Sequence, residues 1–363
     1  MARGRMHRWL GLIALAGALA LPAAARAEPG TSLHAAAANE GVVRIYAATD
    51  ENVVRPLIRD FEQRYPGVRV EFEDLGSREL YRRFLDEARA GGRADVVWSS
   101  AVDLQVKLVN DGYAQPHRSA HTAALPAWAV WKDEAFGTTF EPVAFVYNRK
   151  LLPAAEVPAT HAELLRLLAR QRARFRGQLV TYDPAASGLG FMLHSQDVQA
   201  NPVVFWKLAE AFGRTGIVTL PTTGAMLDRI AAGEALFGYN LLGSYALLRA
   251  ETDPAIGVVL PRDYTLVLSR VAFIARSAPH PNAARLWLDY LLSARGQHLL
   301  ARNPGFFSVR ADVQGDSAAA QLREELGGAF RPIAIGAGLM TYLDQAKRRE
   351  FLRQWHETLF PVP

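Results

Sequence analysis

The sequence predicts an α/β protein of two lobes, each built around a doubly wound, mostly parallel sheet. Strand-like apolar runs alternate with amphipathic helical stretches along most of the 363 residues, which is the pattern of parallel sheets covered by helices. The length suits about two domains. Two long extended apolar runs, at residues 137–147 and 266–275, break this alternation, and we expect them to carry the chain between the lobes.

The first 27 residues have the three parts of a secretory signal peptide. A basic start is followed by an apolar run at residues 10–21 and by Ala25-Arg26-Ala27, which fits a cleavage site flanked by small residues. The apolar run is shorter than the roughly 20 residues that a membrane-spanning helix needs. We therefore expect a free periplasmic protein with a cleaved leader at 1–27 and a flexible lead-in at 28–40.

The charge of the chain gives no reason to expect a nucleic-acid partner. The formal net charge is +5, but Arg3, Arg5, Arg8 and Arg26 of the leader supply four of these charges. The remainder is close to neutral, so its attraction to a polyanion is weak. Half of the residues are apolar and 21% are charged, which indicates a large folded core and excludes a disordered chain.

The first lobe is predicted to consist of residues 41–140 together with 271–363. Apolar residues follow strand or helix spacing in each of its elements, and Asp50, Pro66-Gly67 and Gly91-Gly92 mark where elements begin or end. The predicted elements are strand 42–47, a helix after Asp50, strand 68–72, a helix from Ser77, strand 95–98 and, after the second crossing, helices 282–292 and 342–359.

The second lobe is predicted at residues 141–270 and begins with the first extended run, which contains Pro142. The predicted elements are helix 162–169, strand 179–182, loop 183–190, helices 202–212 and 225–232, and strand 236–239. Two crossings between two lobes imply a cleft with a hinge.

Small hydroxyl residues follow several strands at the point where the next helix begins. Such a turn presents free backbone N–H groups and a partial positive charge, so it can bind an anion without a cationic side chain. Because the carboxyl ends of the strands gather at one edge of a doubly wound sheet, two facing lobes would direct these turns into one cleft. The turns are Thr49-Asp50, Ser99-Ser100, Ser187-Gly188, Thr222-Thr223-Gly224, and Tyr239-Asn240 with Gly243-Ser244-Tyr245.

Each of these residues also has a purely structural interpretation. Ser, Thr and Asp are ordinary helix caps that contribute about 1 kcal/mol to stability. Glu141 lies in an extended apolar segment, where a carboxylate either pairs with a buried arginine or meets a ligand. The sequence leaves both alternatives open.

Catalytic chemistry has little support in the sequence. The chain has no cysteine, which rules out thiol nucleophiles and thiolate metal sites. It also lacks the G-x-S-x-G motif of serine hydrolases, the H-E-x-x-H motif of zinc proteases and the G-K-S/T motif of phosphate-binding loops. We therefore predict no enzyme activity, no catalytic residue, no cofactor and no metal site.

Several short motifs of this chain occur together in one known family. They are ADVVWSS at 94–100, LVNDGY at 108–113, EP at 141–142, YN at 147–148, TYDP at 181–184, GYN at 238–240, LGSY at 242–245, GL at 338–339 and YLDQAK at 342–347. In these motifs the chain resembles the periplasmic substrate-binding proteins of ABC importers with the type II two-lobed fold. The branch it resembles includes ferric-ion binders, sugar-phosphate binders and the phosphoglycerate-transport regulatory protein.

The resemblance implies capture of a small solute between the lobes, hinge closure and delivery to a permease in the inner membrane. Carried over by position, the ligand-binding residues are Thr49, Ser99, Ser100, Glu141, Ser187, Thr222, Thr223, Tyr239, Asn240 and Ser244. The ferric binders of this branch use two adjacent tyrosines, whereas Tyr239 and Tyr245 are six positions apart here. A trivalent cation needs several anionic oxygens close together, so the donor-rich turns favour an anionic solute such as a phosphate ester or phosphonate.

Three alternatives remain at this stage. The first is a ferric-ion binding protein for iron uptake. The second is a periplasmic sensor whose closed form contacts a membrane histidine kinase. The third is an exported hydrolase, which the missing catalytic motifs oppose.

Overall fold

A computed structural model describes residues 29–302, 306–313 and 319–360 of the chain. The predicted signal peptide at 1–27 lies outside the described residues. None of the helices in the described part of the chain has the length and apolar content that a bilayer crossing needs.

The elements alternate between strands and helices over most of the chain. The first part contains α1 Pro29–Glu40, β1 Val42–Ala47, α2 Glu51–Arg64, β2 Arg69–Asp74, α3 Ser77–Arg89, β3 Val96–Ser99, α4 Val102–Asn110, β4 Val130–Trp131 and β5 Ala135–Gly137. The middle part contains β6 Thr139–Asn148, α5 His161–Arg170, β7 Leu179–Tyr182, α6 Gly188–Ala200, α7 Pro202–Thr215, β8 Val218–Leu220, α8 Thr223–Ala231, β9 Phe237–Leu242, α9 Gly243–Thr252, β10 Ile256–Val259 and β11 Thr265–Leu268. The last part contains β12 Val271–Ile274, α10 Pro281–Leu292, α11 Ala294–Ala301, β13 Phe307–Ser308, α12 Ala319–Leu326, β14 Phe330–Pro332 and α13 Gln345–Leu359.

Two sheets form the centres of the two lobes. The first has the strand order β2-β1-β3-β12-β5-β4, and the second has the order β14-β11-β6-β9-β7-β8, with β10 and β13 also paired to β6. The two-lobed α/β class is confirmed, but both sheets are mixed. In the first sheet β1 runs parallel to β2 and β3 while β12 is antiparallel to β3, and in the second the long β6 is antiparallel to β9.

The strands at the lobe boundary explain why the sheets are mixed. The chain passes from β5 to β6 at Thr138 and returns from β11 to β12 at residues 269–270, close to the two predicted crossings. A strand that enters from the other lobe begins at the edge where the parallel strands of the sheet end, as β12 does beside the end of β3, so it runs antiparallel to them.

The C-terminal segment differs from the prediction. After α11 the chain passes to the second sheet, where β13 pairs with β6 and β14 pairs with β11. Helix α13 then packs on α7, with Phe351, Trp355 and Leu359 in the same apolar cluster as Phe205 and other residues of the second lobe. The assignment of this segment to the first lobe is therefore wrong. Its apolar face is readable from sequence, but the sequence does not say which lobe this face covers.

The predicted flexible lead-in is also wrong for the residues that the structure describes. Residues 29–40 form α1, which packs along α10 and buries Ala37 completely. At its end, the Glu40 carboxylate accepts hydrogen bonds from the backbone N–H groups of Asn282 and Ala283 at 3.2 and 2.8 Å, at the start of α10. A run of four alanines at 35–38 has high helix propensity, and a carboxylate at a helix N-terminus is stabilising.

Helix α6 follows the predicted loop at 183–190 and has no counterpart in the prediction. Ten of its thirteen residues are buried, from Gly188 to Val198, on all sides of the helix. A helix that is buried all round has no polar face and shows no helical periodicity in its sequence. Its first turn nevertheless lies at the cleft, so this element matters for the site.

Candidate functional site

A cavity of about 470 Å³ lies between the two lobes. This volume is within the usual range for pockets that hold a small molecule. The first lobe contributes lining residues from the β1–α2 turn, from the end of β2, from α3 and from the start of α4. The second lobe contributes Tyr182, Leu242, Tyr245, and residues from segments 186–189 and 221–224, and Arg270 comes from the second crossing.

Six helices begin at the cavity. Lining residues lie at or within two positions of the first residue of α2, α3 and α4 in the first lobe and of α6, α8 and α9 in the second. The N-terminus of a helix carries a partial positive charge of about half a unit, whether or not some of its N–H groups are capped. The sum of these helix ends gives the cavity a positive potential that does not depend on charged side chains.

Two of the predicted hydroxyl residues cap helices at the cavity. Ser187 Oγ accepts a hydrogen bond from the Gly190 N–H at 3.0 Å, and Thr222 Oγ1 accepts one from the Ala225 N–H at 3.2 Å. A hydroxyl that accepts in this way still has its own proton to donate. Capping and ligand binding are therefore compatible roles for these two side chains.

Ser100 differs from these caps because its hydroxyl has no hydrogen-bond partner among the described residues. Its side chain lines the cavity, although the residue is only 4% exposed. The hydroxyl is therefore free to donate its proton to a ligand oxygen in the cavity.

Arg270 lines the cavity and forms hydrogen bonds with residues of both lobes. Its Nη1 donates to the Ala48 carbonyl oxygen and to Thr49 Oγ1, both at 2.6 Å, and its Nε donates to Glu141 Oε1 at 2.8 Å. The guanidinium also stacks on the Tyr245 ring, 5.5 Å from its centroid. Arg270 and Glu141 are both essentially inaccessible to solvent, so this is a buried ion pair at the hinge.

Two tyrosines line the cavity. The Tyr182 hydroxyl is hydrogen-bonded to Thr223 Oγ1, and the Tyr245 hydroxyl accepts from the Asp50 N–H of the opposite lobe at 3.5 Å. Burial raises the pKa of Tyr182, and burial raises the pKa of Tyr245 to about 12. Both side chains are therefore neutral at physiological pH and act as hydroxyl groups.

The rim of the cavity carries charges of both signs. Asp50, Asp74 and Glu79 line it together with Arg78 and Arg82. Burial, followed by the nearby charge of Asp50, raises the pKa of Asp74. Burial lowers the pKa of Arg78, whose Nη1 donates to the Ala185 carbonyl oxygen of the opposite lobe.

Residues 43–306 match the family model of the bacterial extracellular solute-binding proteins. The chain belongs to this family. A cavity between two lobes, surrounded by helix N-termini, is thus the candidate solute site of a solute-binding protein, and the family is defined by binding a solute.

Solved structures extend the comparison. The substrate-binding protein of an ABC transporter from Agrobacterium tumefaciens has 38% identity and a TM-score of 0.83, over 88% of this chain and 94% of that one. AfuA from Actinobacillus pleuropneumoniae, with fructose-6-phosphate bound, has 18% identity and a TM-score of 0.70, over 88% and 99% of the two chains. Iron-bound HitA from Pseudomonas aeruginosa has 15% identity and a TM-score of 0.68, over 87% and 99%. The last two show a shared fold only.

Five of the ten predicted binding residues line the cavity of this solute-binding protein. They are Thr49, Ser100, Ser187, Thr222 and Thr223. They come from four separate turns in both lobes, so the predicted convergence of turns describes their placement correctly. Contact of these five residues with a ligand remains a prediction.

Tyr239 and Asn240, also predicted as ligand residues, do not line this cavity. The Tyr239 hydroxyl donates to Asp197, and Asn240 Nδ2 donates to the same carboxylate at 3.0 Å. Both residues are buried in the second lobe, and Asn240 adopts a left-handed backbone with φ of 60°. Both residues therefore donate to Asp197 inside the second lobe, a partner that was not predicted from the sequence.

Glu141, Ser99 and Ser244 are also absent from the lining. Glu141 takes the structural alternative and pairs with Arg270, while Ser244 Oγ donates to Glu141 Oε2 at 2.6 Å. Ser99 Oγ accepts from the Ala101 N–H at 3.1 Å. Ser99 and Ser244 each lie one or two residues from the cavity lining, but their side chains point to other partners.

Several lining residues were missed as binding candidates. Arg270 follows an apolar strand without any motif, and nothing in its sequence position indicates that it reaches the β1–α2 turn. Arg78 and Arg82 of α3 were not predicted as binding residues, although both line the cavity. The spacing of four between them, directly after a helix start, was the available signal. Among the described residues no group of three or more His, Asp or Glu side chains is arranged to hold a metal ion.

Proposed function

We propose that this solute-binding protein captures a small anionic organic solute, a phosphate ester or phosphonate, in the cavity between its lobes. It acts in the periplasm, after removal of a signal peptide, and delivers the solute to the permease of an ABC importer in the inner membrane. The importer assignment rests on the relative from Agrobacterium tumefaciens, which is described as the substrate-binding protein of an ABC transporter.

The convergence of six helix N-termini on one cavity carries the proposal. Free N–H groups and hydroxyl protons are donors, and a phosphate or phosphonate group is rich in acceptors. Ser100, Ser187 and Thr222 each have a hydroxyl proton available for a ligand oxygen. The two arginines of α3 add charge at the rim.

A ferric ion is the weaker candidate because of the chemistry of the lining. It would need several anionic oxygens arranged around one point, and in the described part of the chain no three His, Asp or Glu side chains, the cavity carboxylates included, are arranged to hold a metal ion. The lining tyrosines have raised pKa values, and one of them is hydrogen-bonded to Thr223. The fold shared with iron-bound HitA gives no information about the ligand at 15% identity.

Calorimetric titration of the purified mature protein with hexose phosphates, phosphoglycerates and phosphonates tests the proposal. At least one of these ligands is expected to bind with a micromolar or lower dissociation constant. No binding of any of them, together with tight ferric binding and a visible tyrosinate absorption band, would reverse the choice. A histidine kinase as partner stays an alternative, and neighbouring permease and ATPase genes would favour uptake.

A matched pair of cap variants separates ligand binding from stability. Thr222→Ala removes the side-chain cap of α8 at the cavity. Thr160→Ala removes the equivalent cap of α5, where Thr160 Oγ1 accepts a hydrogen bond from the Glu163 N–H at 3.0 Å. Both variants are expected to lose about 1 kcal/mol of unfolding free energy. Only Thr222→Ala is expected to lose affinity, by about fivefold to tenfold.

A further inference from the structure

Among the charged side chains that line the cavity, carboxylates outnumber the guanidinium groups that have no paired carboxylate of their own. Asp50, Asp74 and Glu79 face Arg78 and Arg82 around the same space, and the charge of Arg270 is compensated from below by Glu141. A solute with only negative charge would therefore meet three carboxylates and two guanidinium groups that lack a compensating carboxylate of their own. Such a lining is a poor match for a simple dianion.

Two of the three lining carboxylates lie at the β1–α2 turn and the end of β2, and the third, Glu79, lies in the first turn of α3. Asp50 and Asp74 form no ion pair with any residue that the structure describes. Asp50 occupies the N-cap position of α2 without capping it. Asp74 accepts a hydrogen bond from the Glu51 N–H, so a carboxylate of the protein already occupies the start of α2. This end of the cavity offers acceptors and negative charge, contrary to what the Thr49-Asp50 turn predicts.

The donors are concentrated elsewhere in the cavity. Helix α3 begins after Gly76, which has no side chain to cap it, and brings Arg78 and Arg82 to the lining. Its first residue lies close to the start of α6 in the other lobe, since a Cβ on Gly188 would be 3.1 Å from Ser77 Oγ. The Ser100 hydroxyl, nine-tenths buried and without a partner among the described residues, also lines the space.

We infer that the solute carries an amino group as well as a phosphate or phosphonate group. The ammonium lies between the carboxylates of Asp50 and Asp74, and the anionic group receives hydrogen bonds from Ser100 and the starts of α3, α6 and α8. This inference rests on the proposed function and narrows its substrate class to small amino-bearing phosphonates or phosphate esters. An ammonium between two carboxylates forms charge-assisted hydrogen bonds with both.

Matched ligand pairs that differ only in the amino group test the inference by calorimetry. The pairs are 2-aminoethylphosphonate with ethylphosphonate, and O-phosphoethanolamine with ethyl phosphate. The amino-bearing member is expected to bind at least about tenfold more tightly in one of the pairs. Equal affinities, or binding of hexose phosphates with neither amino-bearing ligand bound, would overturn the inference and leave the proposed function intact.

Charge-neutralising variants locate the ammonium. Asp50→Asn and Asp74→Asn are expected to reduce the affinity ratio within the pair to about twofold or less, while the affinity for the amine-free member rises because a negative charge has been removed from the cavity. Asp86→Asn is the control, because Asp86 is exposed on α3 and does not line the cavity. A ratio that survives both cavity substitutions would overturn the assignment of these carboxylates. Ferric binding without binding of any pair would overturn both the inference and the proposed function.

Discussion

Two buried carboxylates of this protein, Glu141 and Asp197, are held in different ways. Glu141 lies at the hinge and is paired with the guanidinium of Arg270, with Ser244 and Thr139 as further donors. Asp197 lies inside the second lobe and receives hydrogen bonds from the hydroxyls of Tyr239 and Tyr264 and from the Asn240 amide. Both residues are fully buried, but only Glu141 has a cationic partner among the described residues.

The difference shows how a polar residue in an apolar strand can be misread. Glu141, Tyr239 and Asn240 all stand in strand-like apolar runs, and each could therefore be taken for a ligand residue. Their partners come from positions more than forty residues away along the chain. One network fixes the two crossings to each other at the edge of the cavity, and the other fixes α6 to β9 in the core.

Breaking the Arg270–Glu141 pair is expected to have the largest effect. Arg270→Met leaves a buried carboxylate without its counter-charge, which costs about 3–5 kcal/mol of unfolding free energy. Urea denaturation followed by circular dichroism measures this loss. The same variant is expected to lower solute affinity, because the β1–α2 turn that lines the cavity is held by Arg270.

The double variant Arg270→Met with Glu141→Leu is the control for this prediction. Replacing both members of a buried pair by apolar residues of similar size is often neutral. We expect it to recover most of the lost stability but not the affinity. A double variant as unstable as Arg270→Met would show that the hinge depends on the hydroxyl groups of this network more than on its ion pair.

Removing one hydroxyl from each network sharpens the comparison. Tyr264→Phe removes a donor from Asp197, where no cation can compensate, and is expected to cost about 2–3 kcal/mol. Ser244→Ala removes a donor from Glu141, which keeps Arg270, and is expected to cost about 1 kcal/mol. Both costs are measured as shifts of the urea midpoint of unfolding, provided that the dependence of the unfolding free energy on urea concentration keeps the same slope. Equal costs would mean that the cationic partner does not protect Glu141.

An effect that is absent at neutral pH and appears only as the solution is acidified is expected from His194, which lies beside the Asp197 network. Burial lowers the pKa of the neighbouring His194 from 6.5 to about 4. Between about pH 6.5 and 4 the unfolded chain binds a proton at this histidine that the folded chain does not bind. His194 therefore makes the protein less stable as the pH falls through this range, by at most about 1.4 kcal/mol per pH unit. His194→Gln is expected to remove this slope.

Asp103 at the start of α4 is the matched control with the opposite sign. Burial raises its pKa to about 7. The folded chain keeps a proton on Asp103 that the unfolded chain loses, so stability falls as the pH rises from about 4 to about 7. Asp103→Asn is expected to remove that fall. Urea denaturation of the two variants and the unchanged protein at several pH values tests both predictions, and slopes of the same sign would contradict them.

The amphipathic elements and the crossings were predictable from the sequence. The helix predicted after Asp50 is α2, whose buried residues Val54, Leu57, Ile58 and Phe61 recur at helical spacing. Long amphipathic helices and apolar runs have a periodic signal that does not depend on the rest of the chain. Helix α6 has no such signal, because nearly all of its residues are buried.

The candidate site was predictable only in part, for a related reason. Hydroxyl residues at helix starts are a local signal, and Ser100, Ser187 and Thr222 were found in this way. Arg270 is a non-local case, because it becomes a lining residue only when the second crossing brings it against the β1–α2 turn. The acidic end of the cavity was missed because Asp50 was interpreted as an ordinary cap, and the structure shows that it caps nothing.

The location of α1 and α13 on different lobes makes the motion between the lobes accessible to fluorescence. Helix α1 packs on the first lobe and α13 on the second. The chain has no cysteine of its own, so Ala35→Cys and Gln354→Cys, both at exposed positions, would be the only sites for maleimide dyes. Energy transfer between the two dyes would then follow opening and closing of individual molecules as solute is added.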